Sequence, residues 1–140
     1  MGRILALDYG SKRTGIAATD PLQMIATGLD TIPTHTLESW LTRYKASEQV
    51  DLVVIGCPLM LDGSESETIT RHITPFINRL KKVFPDLPVH LLDERFTSKI
   101  ALRAMVDGGM KKSDRMKKEN IDKVSATILL QDYLESMRNK

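Results

Sequence analysis

The stretch Ile4-Leu-Ala-Leu-Asp8-Tyr-Gly-Ser-Lys-Arg-Thr-Gly15-Ile-Ala-Ala-Thr19 decides the fold. Two short apolar runs, Ile4 to Leu7 and Gly15 to Thr19, flank a short polar link from Tyr9 to Thr14, which is the layout of a hairpin. Met24 to Ile32, β-branched and small before Pro33, predicts a third strand and so an antiparallel meander. Past Pro33 the period changes. Leu37, Trp40, Leu41 and Tyr44 recur at helical spacing, and the segment Asp51 to Cys57 reads as a buried strand because Leu52, Val53, Val54 and Ile55 are consecutive. A capping box, Ser64 with Glu67, precedes a second helix carrying Ile69, Ile73, Phe76, Ile77 and Leu80, with Pro75 expected to kink its interior. Pro88 to Leu92 supplies a fifth strand. A helix from about Ser98 to Asp107, stopped by Gly108 and Gly109, and a last one from Asn120 with Ile121, Val124, Ile128 and Leu134 on one face, complete the chain. The order βββαβαβαα predicts an α/β domain: a mixed five-stranded sheet with helices on both faces, spanning residues 1–140 as one unit.

Composition fits that reading. The chain's 140 residues, 41% of them hydrophobic, suffice for one core and leave little for a second. The longest apolar stretch, Leu52 to Leu61, is well short of the ~20 residues that cross a bilayer, so no membrane partner is expected. Cys57, the single cysteine, excludes an internal disulfide and a multi-cysteine zinc site, and predicts a cytoplasmic setting. The net charge of +2 hides an uneven distribution. Lys111, Lys112, Arg115, Lys117 and Lys118 face one acid, Asp114, within eight residues, a basic run suited to phosphate.

The acids have their own pattern. Asp8 ends the first strand, Asp93 and Glu94 end the last strand, and Asp122 stands near the start of the last helix. Parallel strands share a carboxyl edge where open α/β sheets bind ligands, so these acids can meet although they are far apart in sequence. Ser125 and Ala126 keep the helix face below Asp122 small enough for close approach. Such a cluster repels itself unless it holds a cation, and hard oxygen donors select Mg²⁺ or Mn²⁺, ions that activate water against a phosphodiester. Taken singly, an Asp at such a position is more often a turn or cap residue.

Four segments in order resemble the YqgF/RuvX family, described as Holliday-junction resolvases and pre-16S rRNA nucleases. They are Asp8-Tyr-Gly-Ser-Lys-Arg-Thr-Gly-Ile-Ala18; Gly56-Cys-Pro58 with Asp62-Gly-Ser64; Asp93-Glu-Arg95 with Thr97 and Ser98; and Asp122-Lys-Val-Ser-Ala126 through Ile128 to Gln131. The resemblance covers essentially the whole chain. It implies an RNase H-like fold and a metal-dependent nuclease whose acids match Asp8, Glu94 and Asp122. Alternation along a strand leaves Glu94 or Asp93 as the closer ligand, with Glu94 favoured. Cys57 stands where the family more often has Leu, and Met60 where a polar residue is common; both bear on substrate contacts more than on metal binding.

The implied function is endonucleolytic cleavage of structured nucleic acid, an rRNA precursor or branched DNA, by a monomer or homodimer. Lys12, Arg13 and Arg95, with the basic run from Lys111 to Lys118, are the expected phosphate contacts. The alternative is a binding factor on the same fold that does not cleave. A third reading, nucleotide handling in the manner of actin-like ATPases, lacks the second domain those proteins close over their ligand. His35, His72 and His90 have no ligand-like spacing, and Trp40, Tyr44 and Phe76 fall at helical core positions rather than on a base-stacking platform.

Overall fold

The computed structural model describes residues 2–57, 69–93 and 118–138. Strands β1 (Arg3–Tyr9), β2 (Arg13–Thr19), β3 (Ala26–Pro33), β4 (Val50–Cys57) and β5 (Val89–Asp93) form one sheet in the order β3-β2-β1-β4-β5. β1 is central, antiparallel to β2 and parallel to β4, and β4 pairs in parallel with β5. Helix α1 (Leu37–Ser47) links β3 to β4, α2 (Thr74–Val83) precedes β5, and α3 (Lys118–Arg138) is the last element described.

The two-residue period of β1 sorts its side chains into two cores, as a sheet covered on both faces requires. Leu5 and Leu7 join Ile16, Val53 and Ile55 under Leu37, Leu41, Ile73 and Leu80 of the α1–α2 layer. Ile4 and Ala6 join Ala17 and Val54 under Ala126, Leu129, Leu130 and Leu134 of α3. Trp40 and Tyr44 stack at 4.9 Å on the flank of the first core, and Phe76 packs there with them.

Four sequence expectations are corrected. β3 starts at Ala26, not Met24, because Asp20 takes the N–H groups of Leu22, Met24 and Ile25 on its carboxylate and winds residues 20–25 into a turn. Pro75 does not kink a helix interior. It lies in the first turn of α2, where its missing N–H costs nothing, behind a wide turn of π type at Ile69–Ile73. The last helix begins at Lys118 rather than Asn120. Its buried stripe runs through Ser125, Ala126, Leu129, Leu130 and Leu134, whereas Val124 and Ile128 are only half-buried. The Ser64–Glu67 capping box and the helix expected over 98–107 with its stop at Gly108 and Gly109 lie outside the described residues.

Candidate functional site

Asp8 is half-buried near the carboxyl end of the central strand. Its even parity with Ile4 and Ala6 places it on the α3 face of the sheet. In its register row the neighbours are Gly15 on β2 and Gly56 on β4. Neither flanking residue has a side chain, so nothing from the adjacent strands overhangs the carboxylate in that row. A glycine inside a strand commonly marks such an approach.

The hairpin that follows is held firmly. The Thr34 hydroxyl, just past β3, donates to the Gly10 carbonyl at 2.5 Å. With that proton committed, the fully buried Thr14 hydroxyl is the donor in the 2.9 Å bond between the two threonines. The Thr34 N–H also donates to the Lys12 carbonyl at 2.9 Å. Gly10 has to be glycine, since a Cβ there collides with the Arg13 carbonyl oxygen. On the opposite face, Tyr9 lies 5.4 Å from the Phe76 ring, and burial pushes its phenol upward in pKa. Lys12 projects exposed from this pinned loop, while Arg13, half-buried, starts β2 with the parity of Gly15 and Ala17.

α3 reaches the same region from the other end of the chain. Its last turns lie beside the β2–β3 turn, where Leu134 and Arg138 line a groove with Met24 and Ala26. Lys123 and Thr127 lie over Gly28, whose absent Cβ would stand 2.8 and 2.9 Å from their side chains. The helix therefore runs from the Asp8 end of the sheet toward the far end, and position 122, in its second turn, belongs to the Asp8 end. Small residues make the contact close: Ala6, Ala17 and Gly28 below, Ser125 and Ala126 above. The Ser125 hydroxyl is buried with no hydrogen-bond partner among the described residues.

β5 ends at Asp93, in register with Cys57, one step beyond the row of Asp8 and Gly56. The ends of β1 and β5 and the first turns of α3 thus lie toward one end of the sheet. Of the expected acids, Asp8 has its side chain described, Asp93 and Asp122 are placed by their backbones, and Glu94 lies outside the described residues. Arg95, Lys111, Lys112, Arg115 and Lys117 also lie outside, and Lys118 is placed only as the first residue of α3. Among the described residues no three His, Cys, Asp or Glu side chains gather. His35, His72 and His90 are all exposed, with His90 set 6.4 Å from the Tyr133 ring. The threonine clamp and the flanking glycines are additions to the expected site. Gly15 and Gly56, each at a strand position, carried a legible signal; the partnership of Thr34 with Gly10 did not.

Comparisons with known proteins bear on the family and the fold. The model of the RuvX family, described as Holliday junction resolvase, matches residues 2–136. A protein of Phocaeicola vulgatus named "Putative pre-16S rRNA nuclease" is 53% identical over 138 residues, 99% of each chain. Proteins of the same name from Bacteroides thetaiotaomicron and Flavobacterium johnsoniae are each 52% identical, again over 99% of both chains. Among solved structures, T. thermophilus RuvC in complex with Holliday junction substrate superposes with a TM-score of 0.56 at 16% identity, covering 98% of this chain and 96% of that one. That likeness establishes the RNase H-like fold, and the family match across nearly the whole sequence makes this chain a member of the RuvX family.

Proposed function

We propose that this chain is a divalent-cation-dependent endonuclease acting in the cytoplasm on structured nucleic acid, with the 5′ end of a 16S rRNA precursor as its substrate. The observation that carries the reading is Asp8, set at the carboxyl end of the central strand between two glycines, on the face and at the end to which α3 brings position 122. Relatives about half identical, named for a pre-16S rRNA nuclease, favour RNA over the branched DNA of the family description. No helix among the described residues is long and apolar enough to cross a membrane.

Asp8, Glu94 and Asp122 are the residues assigned to hold Mg²⁺ or Mn²⁺, with Asp93 adjacent. An all-carboxylate donor set at a sheet edge suits a hard cation. When bound there, the metal supplies a water of lowered pKa and neutralises charge gathering on the phosphate. The chain does the positioning. Thr34 fixes the Gly10–Lys12 loop, so Lys12 meets a phosphate from a pinned backbone. Arg13 and Arg95 are assigned to grip backbone oxygens through their planar forks. The run Lys111, Lys112, Arg115, Lys117 and Lys118 draws the nucleic acid in, with affinity falling as salt rises. Gly15 and Gly56 leave the strand surface beside Asp8 low enough for a sugar-phosphate chain to approach.

The test compares the parent with Asp8→Asn on an rRNA precursor fragment and on a four-way DNA junction, in Mg²⁺ or Mn²⁺. Cleavage of the precursor by the parent, lost in a folded variant that still binds, is the expected result. Undiminished cleavage by Asp8→Asn overturns the site. Binding without cleavage of either substrate by the parent favours the non-catalytic factor, and cleavage of the junction alone moves the substrate to DNA.

A further inference from the structure

Between Glu67 and Asp86 the sequence holds no acid and four fixed positive charges, Arg71, Arg79, Lys81 and Lys82. All four are exposed, on the turn Ile69–Ile73 and on α2, while Ile73 and Leu80 of the same segment are buried. An amphipathic helix needs a polar outer face, and any mixture of charges meets that need. A single sign works against the helix, because like charges three or four residues apart, as Arg79 and Lys82 are, repel. Lys81 and Lys82 close α2, where cations complement the helix dipole, but Arg71 stands ahead of it, where a cation opposes the dipole. Helix stability therefore explains only part of the pattern.

Contacts with α1 keep this face positive and ordered. Arg79 donates from Nε to Glu38 at 2.7 Å, and with its side chain 62% exposed it keeps further N–H donors for another acceptor. Lys45 lies 5.2 Å over the Phe84 ring, just past the end of α2, and adds a fifth cation there. The exposed side of α3, on the other face of the sheet, instead mixes Asp132 and Glu135 with Arg138. α2 also starts in the right place. Phe76 in its first turn meets Tyr9, the residue after Asp8, and the helix then runs to the turn that starts β5 at the opposite end of the sheet. From residue 71 to residue 82 the row spans about 16 Å, over which each strand of a duplex presents about five phosphates. Among the cations stand Thr74, Pro75 and Asn78, all exposed, whereas Phe76 and Phe84 are half-buried against the core. A face that offers no ring for stacking does not hold single strands by their bases. Cations set among a hydroxyl and an amide suit the phosphates and 2′-hydroxyls that an A-form duplex displays.

Resting on the nuclease reading of the Asp8 end, we propose that the outer face of α2 binds the backbone of an RNA duplex, the stem adjoining the phosphate to be cut. The stem lies along α2 from Arg71 to Lys82, on the opposite face of the sheet from α3, and leaves the Asp8 end to the strand that is cleaved.

Fluorescence anisotropy of labelled RNA tests this, with the full chain carrying Asp8→Asn in Mg²⁺ so that no strand is cut. Two probes share one unpaired region and carry a stem of about 5 or about 16 base pairs. The longer stem should bind about tenfold tighter, with a steeper loss as KCl rises from about 50 to about 200 mM. Adding Arg71→Gln with Lys82→Gln, both at exposed sites and checked for folding by circular dichroism, should cancel that advantage and make the salt slope shallower by about two. Arg71→Lys with Lys82→Arg keeps both charges and should keep the advantage. A single strand as long as the larger probe should gain nothing. An advantage that is absent, untouched by the glutamine pair, lost equally in the charge-keeping pair, or matched by the single strand overturns the proposal. If it fails while Asp8→Asn still abolishes cleavage, the nuclease reading stands without the α2 face. A stem advantage that depends on α2, in a chain whose parent cuts no RNA, keeps the face and removes the nuclease.

Discussion

Replacing Thr34 by valine should damage the hairpin that carries the site out of proportion to the single oxygen removed. The substitution keeps the shape and the backbone bond to Lys12. It deletes the hydroxyl that donates to the Gly10 carbonyl at 2.5 Å and accepts from Thr14 at 2.9 Å. Thr14 is fully buried, so its O–H is left without a partner, at about 1–3 kcal/mol. The lost bond to Gly10 adds about 1 kcal/mol, for a total of about 3 kcal/mol. In urea that lowers the unfolding midpoint by about 1–2 M, with the slope unchanged. Thr14→Val in the same background should be cheaper than in the parent, because the orphaned donor disappears with it. Nuclease kcat/KM should fall with the loosened loop, since Lys12 then meets its phosphate from an unpinned backbone. A Thr34→Val protein within about 0.5 kcal/mol of the parent, additive with Thr14→Val, refutes the clamp.

Three further outcomes follow from the same contacts. Gly28→Val places a branched side chain against Lys123 and Thr127, so it should cost about 1–3 kcal/mol by thermal unfolding and cut activity by tilting α3; an unchanged melting curve contradicts the close contact. Backbone bonds from Ile25 and then Met24 hold the Asp20 carboxyl below its usual pKa, and the bond from Gly2 does the same for Asp51. Depressed carboxylate pKa values give stabilisation that is complete above the unfolded value near 3.8 and lost as pH falls through the folded values, so proton NMR should show both carboxyls titrating late during acidification. Removing divalent cations with EDTA should abolish cleavage, and adding Mg²⁺ or Mn²⁺ back should restore it; activity that survives chelation contradicts a carboxylate metal site.

The parts of the fold legible in the sequence are those in which one local rule decides. The short apolar runs of β1 and β2 about a polar link, and the switch to helical spacing at Leu37, Trp40, Leu41 and Tyr44, specify element types without reference to the rest of the molecule. Asp8 was legible for the same reason, as an acid closing an apolar run before a glycine. Where two influences compete, the apolar character of a residue misleads. Met24 and Ile25 suit a strand, yet three amides bonded to Asp20 turn them outward. On α3, Val124 and Ile128 outrank Ser125 and Ala126 in hydrophobicity. The sheet beneath offers Ala6, Ala17 and Gly28, a low surface that draws the helix in by its smallest side chains. Neither Thr34's reach to Gly10 nor its bond to Thr14 is visible in spacing, because both depend on where β3 delivers the chain.

α3 crosses the face of strands that the ribosome makes first. The hairpin with Asp8 and the return through β3 involve contacts local in sequence and can fold early, whereas position 122 comes from the other end of the chain. During synthesis the N-terminal half therefore waits for α3: until that helix is made, Ile4, Ala6, Ala17 and Val54 have no helix over them. A chain ending before residue 118 keeps this apolar face bare, so completion of the last helix is also the step that buries it.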